Sequence, residues 1–198
     1  MKKVVFLLVI SLIVFSGVAA AQTGGDFVFR LGYDMSGEMD IDGEDYDVES
    51  GYSLTAEYRL SAADNFSYGA GITYQLERDV DITDGPGDVG FNYTPIYLLG
   101  EYRMAEQPLY FVGHLGYNLF SIDEDVESES GGLYYALGGG IEFEDRYLLE
   151  LLYTVNNSSI EVESGNGNNE ITPAQNENEF EDIDLKYTKF TISLGIKF

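Results

Sequence analysis

The sequence predicts an all-β protein: an eight-stranded, antiparallel, up-and-down transmembrane β-barrel, preceded by a cleaved signal peptide. Two observations predict this fold. Eight stretches alternate between apolar and small or polar side chains, each about ten residues long, which is the length a tilted strand needs to cross hydrocarbon. The connections between these stretches are alternately long and short, as in barrels inserted from one side of a membrane.

The first residues have the three parts of a secretory signal peptide. Lys2 and Lys3 are followed by an apolar run over residues 4–15 and then by Ala19-Ala20-Ala21. The run is shorter than the ~20 residues of a membrane-spanning helix. We therefore expect residues 1–21 to be removed, with a cut one residue earlier as the alternative, and residues 22–198 to form the barrel domain.

The predicted strands cover residues 26–36, 51–60, 66–77, 93–104, 109–120, 133–143, 147–156 and 185–198. Tyr and Phe concentrate near the ends of the apolar faces, while Gly, Ser and Thr dominate the opposite faces, which also include Asp34 and Lys189. A water-soluble barrel would alternate too, but with its bulky face inside. Aromatic residues at strand ends favour a membrane, because aromatic side chains form belts at membrane interfaces.

The connections divide into two kinds. Long acidic segments follow the odd-numbered strands, at 37–50, 78–92, 121–131 and 156–184, and short turns follow the even-numbered ones, at 61–65, 105–108 and 144–146. We expect the long segments to be extracellular loops and both termini to be periplasmic.

The composition excludes several functions. There is no cysteine, so neither disulfides nor thiol chemistry are available. The formal charge of −25 becomes −27 once Lys2 and Lys3 leave, and so acidic a surface repels nucleic acid. The 16 Tyr and 12 Phe argue against a disordered chain.

The chain resembles the OmpX/OmpA-like family of eight-stranded outer-membrane barrels, a porin-like barrel domain. The resemblance is carried by the closing strand, residues 187–198, and by the Gly-rich strands around residues 112–117 and 136–140. It implies a cell outer-membrane location, contact with outer-membrane lipid, and presentation of Phe198 to the barrel-assembly machinery. A monomer is expected. The resemblance does not imply an activity, because members of the family differ in function.

Eight charged side chains fall on the predicted inner face. Because charged side chains avoid lipid, strand four is oriented with its charged face inward. The opposite orientation would place an Arg in lipid at a cost of up to ~2–4 kcal/mol. The set contains four positive and four negative residues and predicts an interior ionic network: Arg30, Glu57, Arg59, Glu101, Arg103, Glu142, Glu150 and Lys197. Because eight strands enclose only enough space for side chains, a wide pore is not expected.

Three functions stay open. The first is a non-enzymatic surface or structural role. The second is an enzyme that modifies lipid A, in which His114, the single histidine, would be the base; Gly116 occupies the position where lipid A deacylases have a serine. The third is a small ion or solute channel. No cofactor and no catalytic residue are predicted.

The acidic segments are the remaining feature. Dense carboxylates bind divalent cations weakly, and the side chains available for this are Asp40, Asp42, Asp45, Asp47, Asp79 and Asp81. No stretch has the spacing of a calcium-binding loop. A solvated acidic rim is therefore the preferred interpretation, with divalent cations or external surface ligands as partners and no specific metal site.

Overall fold

The computed structural model describes residues 24–80, 89–122, 128–163 and 180–198, which form one antiparallel sheet. Its eleven strands are β1 (Gly25–Asp34), β2 (Gly37–Ile41), β3 (Glu44–Val48), β4 (Gly51–Ala63), β5 (Phe66–Gln75), β6 (Arg78–Val80), β7 (Val89–Arg103), β8 (Leu109–Ile122), β9 (Ser128–Phe143), β10 (Tyr147–Glu163) and β11 (Phe180–Lys197). Within these ranges, no helix has the length and apolarity to cross a bilayer. The predicted signal peptide lies outside them.

The sheet closes on itself. The longer strands pair in the order β1–β4–β5–β7–β8–β9–β10–β11, and β11 pairs back to β1 from Val28↔Lys197 to Asp34↔Thr191. These eight strands correspond to the eight predicted from alternation. The connections at 64–65, 104–108 and 144–146 are short, as predicted.

The prediction of only eight strands is wrong for the described part of the chain, because three more strands lie in segments predicted to be loops. Residues 37–48 form the hairpin β2–β3, which turns at Asp42-Gly43 with positive φ at both residues. Strand β6 lies in the predicted loop 78–92, and β7 to β11 extend into the predicted loops 78–92, 121–131 and 156–184. Residues 81–88, 123–127 and 164–179 of those loops lie outside the described ranges.

The three additional strands extend the barrel at the end opposite the short connections, which we call the upper end. Strand β2 pairs with β11, β3 pairs with β2 and with β6, and β6 pairs with β7. We call the part that contains β1, β4 and β5 the lower barrel and the part that contains β2, β3 and β6 the upper barrel. Strands β7 to β11 run through both.

The two parts differ in what they expose and bury: the lower barrel exposes apolar side chains and buries ion pairs beside an apolar cluster that includes Val28, Leu99 and Leu148, whereas the upper barrel exposes acidic side chains and buries apolar ones. On the lower barrel, apolar side chains point outward, with Leu98 69% and Leu137 68% exposed, while Glu101 inside is fully buried. In the upper barrel, Met39 and Val48 are buried inside and the neighbouring Glu38, Asp45 and Asp47 are exposed. A broad exposed apolar band needs lipid to cover it, whereas the upper barrel has the pattern of a protein surrounded by water.

Two belts of aromatic side chains border the apolar band. The belt at the lower rim contains Phe66, Tyr102, Phe111, Phe143, Tyr147 and Phe198. The belt where the lower barrel meets the upper contains Tyr33, Tyr52, Tyr74, Tyr117, Tyr135, Tyr153 and Phe190. Between the belts, no outward-facing side chain of the described strands is charged. This arrangement matches the interfaces of a bilayer.

Candidate functional site: the charged lumen

A single ionic chain of alternating charges runs through the lower barrel, beside a buried apolar cluster of Val28, Tyr97, Leu99, Tyr110, Val112, Tyr134, Ala136, Leu148 and Leu152. The eight residues predicted to lie inside do so, and each forms an ion pair with the next in the order Glu150, Arg30, Glu57, Arg59, Glu101, Arg103, Glu142, Lys197. They come from six of the eight long strands, so the network connects the barrel wall from the inside.

Glu57 is the centre of this chain. Arg30 Nη1 donates to Glu57 Oε2 at 3.1 Å and Arg59 Nε donates to the same oxygen at 2.9 Å. Tyr97 donates its hydroxyl to Oε1 at 2.7 Å. The Glu57 side chain has no exposed surface, so its charge is balanced by the two guanidinium groups and not by water.

The ionic chain becomes more exposed to solvent toward the lower rim. Glu101 accepts from Arg59 and, at 2.7 Å, from Arg103 Nε. Glu142 accepts from Lys197 and forms an ion pair with Arg103. The Arg103 side chain is 31% exposed, whereas Arg30 and Arg59 are buried. At the opposite end of the ionic chain, the Tyr110 hydroxyl donates to Glu150 at 2.9 Å.

A second ion cluster lies higher in the lumen and was not predicted. Asp34 Oδ2 pairs with Arg78 Nη2 at 2.7 Å and with Lys189 Nζ at 2.6 Å, while Thr191 and Ser53 donate to Oδ1 at 2.6 and 3.2 Å. Alternation already placed Asp34 and Lys189 on inner faces. Arg78 was missed because its segment was predicted to be a loop.

An apolar cluster, which we call the cap, fills the upper barrel above both ion clusters. It comprises Met39, Val48, Val80, Phe91, Tyr93, Phe120, Leu185 and Tyr187. The rings of Phe91 and Tyr187 lie 5.5 Å apart and those of Tyr93 and Phe120 4.8 Å apart. Tyr93 shares a hydrogen bond with Ser158, and burial raises the pKa of Tyr93 well above its ordinary value, which keeps the phenol neutral.

His114 is part of the filled lumen. It is 5% exposed, and its ring stacks on Tyr97 with centroids 4.2 Å apart. Nδ1 lies 3.2 Å from the hydroxyl of Tyr134, and Nε2 lies 3.9 Å from Glu57 Oε1. In the described part of the chain, its hydrogen-bond partner is therefore a phenol and not a serine nucleophile.

The acidic residues considered for cation binding do not assemble into a site. Asp40 and Asp45 face each other across β2 and β3, and Asp40 Oδ1 accepts a hydrogen bond from the Gly43 amide at 2.8 Å. Among the described residues, no three side chains of the types that bind metals are grouped closely enough to hold an ion. Asp81 lies outside those residues.

Phe198 lies at the lower rim beside the first strand. Its amide donates to the carbonyl of Phe27 at 2.9 Å, and its ring lies 6.0 Å from that of Phe29. Arg146 lies over the same ring at 5.4 Å. The terminal residue thus completes the closure between β11 and β1.

A closed antiparallel sheet with an apolar outer band, two aromatic belts and a charged interior defines a membrane β-barrel. The chain belongs to the family described as outer membrane protein beta-barrel domain, whose model matches residues 6–198. Membership in this family implies a location in the outer membrane.

Solved structures with the same fold include OprG of Pseudomonas aeruginosa, with 19% identity over 88% of this chain and 96% of that one and a TM-score of 0.53. Ail of Yersinia pestis, in complex with the heparin analogue sucrose octasulfate, has 14% identity over 89% and 100% of the two chains and a TM-score of 0.55. Neisserial surface protein A has 12% identity over 89% and 98%, with a TM-score of 0.51. These similarities show the fold alone. No curated protein matches the chain.

Proposed function

We propose that the protein is a non-enzymatic, non-conducting outer-membrane barrel that presents an acidic surface outside the cell. In this proposal the eight long strands cross the membrane once residues 1–21 have been removed. The upper barrel stands above the lipid as an extension of the same cylinder.

The filled lumen carries this proposal. The ionic chain occupies the lower barrel, and the cap occupies the upper barrel with Tyr187 and Tyr93 fully buried. An ion moving through the barrel would have to break buried ion pairs and then enter an apolar layer, and both steps are costly. A structural role for the lumen therefore fits better than conduction.

The position of His114 disfavours a lipid-modifying enzyme. A base acting on membrane lipid must reach the outer face or a cleft open to it, but His114 points into the lumen and packs against Tyr97 and Tyr134. Since its neighbours among the described residues are phenols and a paired carboxylate, none of them is a serine that it could activate as a nucleophile.

The distribution of basic residues supports an acidic exterior. Eight Lys and Arg residues follow Lys3, and six of them point into the lumen: Arg30, Arg59, Arg78, Arg103, Lys189 and Lys197. Only Arg146, in a lower turn, and Lys186, in the upper barrel, are exposed. The exterior therefore suits cationic partners or divalent cations and repels polyanions such as the heparin analogue in the Ail complex.

Planar-bilayer recording of the purified protein tests the proposal, with a large porin as the positive control. We expect the current to remain at baseline for protein whose folded state has been verified by a heat-dependent shift in gel mobility and whose insertion has been verified by its recovery with lipid vesicles fused to the bilayer. Discrete conductance steps would refute the non-conducting role. Fractionation and the mass of the mature chain test the membrane location and the cut after Ala21.

A further inference from the structure

The upper ion cluster has an unbalanced charge. Arg78 and Lys189 carry two positive charges and Asp34 one negative, and all three side chains are at most 2% exposed. The ionic chain below has four charges of each sign. With Lys189 protonated, the two ion clusters together therefore carry one positive charge in excess, and an uncompensated buried charge is strongly unfavourable.

The groups already present do not offset this charge. Both cations share Oδ2 of Asp34, and Oδ1 accepts from Thr191 and Ser53. Below the cluster, Arg30 faces it from the ionic chain, where Glu57 and Glu150 already balance Arg30 and Arg59.

A small polar cavity of about 20 Å³ lies between the two ion clusters. Lys189, Arg30 and the carboxylate of Asp34 line it, together with Leu152 and with hydroxyl and amide side chains. Two of these have atoms without a partner although the residues are buried: Ser193 Oγ and Gln75 Oε1. A space of this size holds one small ion or about one water molecule.

We propose that this cavity binds one small monovalent anion, for which chloride is the probe. The ammonium group of Lys189 supplies the charge and the unpaired hydroxyl of Ser193 a donor. Gln75 donates as well when its amide and that of Asn156 are turned over together, because Asn156 then donates to Gln75 and gives up its long, 3.5 Å bond to the Tyr187 carbonyl. One bound anion balances the charges of the two ion clusters.

Thermal unfolding in detergent at constant ionic strength, with gluconate replaced stepwise by chloride, tests the site. We expect the Tm to rise with chloride and to saturate, because a ligand that binds only the folded state stabilises it. Lys189→Met should abolish this dependence, since it leaves Arg78 and Asp34 balanced. Lys186→Met, which removes the exposed lysine three residues away, should retain it.

Crystals of the unaltered protein soaked in bromide give a second readout that does not depend on how a variant folds. We expect an anomalous peak in the cavity, within contact distance of Lys189 and Ser193. Ser193→Ala should weaken the apparent chloride affinity about tenfold, the value of one hydrogen bond to a charged group. A Tm indifferent to chloride, chloride dependence retained in Lys189→Met, or water in place of bromide would each overturn the proposal.

Discussion

Arg30 on β1 and Glu57 on β4 face each other inside the lumen through two hydrogen bonds, one of them between Nη1 and Oε2 at 3.1 Å. The same carboxylate also binds Arg59. One glutamate therefore compensates two buried guanidinium groups, and the links on either side of it depend on its charge.

Replacing Glu57 with Leu should lower the free energy of unfolding by about 3–5 kcal/mol, because removal of one member of a buried ion pair leaves its partners uncompensated. Glu142→Leu should cost clearly less, since its partner Arg103 is 31% exposed and water replaces the lost contact. Urea unfolding in detergent, followed by circular dichroism, measures both. Glu77→Leu changes an exposed glutamate and is the control. Equal losses of unfolding free energy in the Glu57 and Glu142 variants would contradict the decrease in burial along the ionic chain toward the lower rim.

Gly71 leaves room for the centre of the network. It lies between Glu57 and Tyr97 on adjacent strands, and a Cβ there would be 2.7 Å from Glu57 Cγ and 2.8 Å from the Tyr97 ring. Gly71→Ala should therefore displace Tyr97 from Glu57 and lower the free energy of unfolding by about 1–3 kcal/mol.

Gly113→Ala is the matched control for Gly71→Ala. It is also a strand glycine, but a Cβ there would meet only Leu137 Cδ2 at 3.4 Å and the Ala136 carbonyl at 3.9 Å, both ordinary contact distances. The same unfolding measurement should show little change for this variant. A comparable loss at both positions would indicate that chain flexibility, and not lumen space, explains the effect.

The apolar outer band predicts that a charged side chain placed on it will disfavour folding into lipid. Leu98 is 69% exposed between the two aromatic belts, so Leu98→Arg places a charge in lipid and should cost about 2–4 kcal/mol. Ser121→Arg, on the water-exposed outside of the upper barrel, should be tolerated. The fraction of protein that folds into lipid vesicles, read from gel mobility, distinguishes them. Equal folding of both variants would mean that lipid does not cover Leu98.

Strict alternation made the lower barrel predictable. It gave the eight long strands, their inner faces and the eight members of the ionic chain, because a charge excluded from lipid has only the lumen left. The upper barrel was missed for a physical reason. There the outward residues are acidic and the inward ones apolar, as in Glu38-Met39-Asp40-Ile41, and the charge of such a segment was interpreted as a loop although its alternation is that of a strand. The cluster of Asp34 and Lys189 with Arg78 depends on a strand in that segment.

Chemical access to the lumen is the most direct test of the cap. Since the chain has no cysteine, Thr154→Cys introduces one thiol into the cavity wall, between the ionic chain and the cap. In detergent a charged thiol reagent can approach from either end, and we expect this thiol to react far more slowly than one at Ser121, which is exposed on β8. Adding Phe91→Ala and Tyr187→Ala removes the two aromatic rings that pack at 5.5 Å and should speed the reaction at residue 154 while leaving residue 121 unchanged. Rapid labelling of residue 154 with the cap intact would mean that the barrel is open to solvent. Slow labelling in the variant that lacks both rings would assign the seal to other residues than Phe91 and Tyr187.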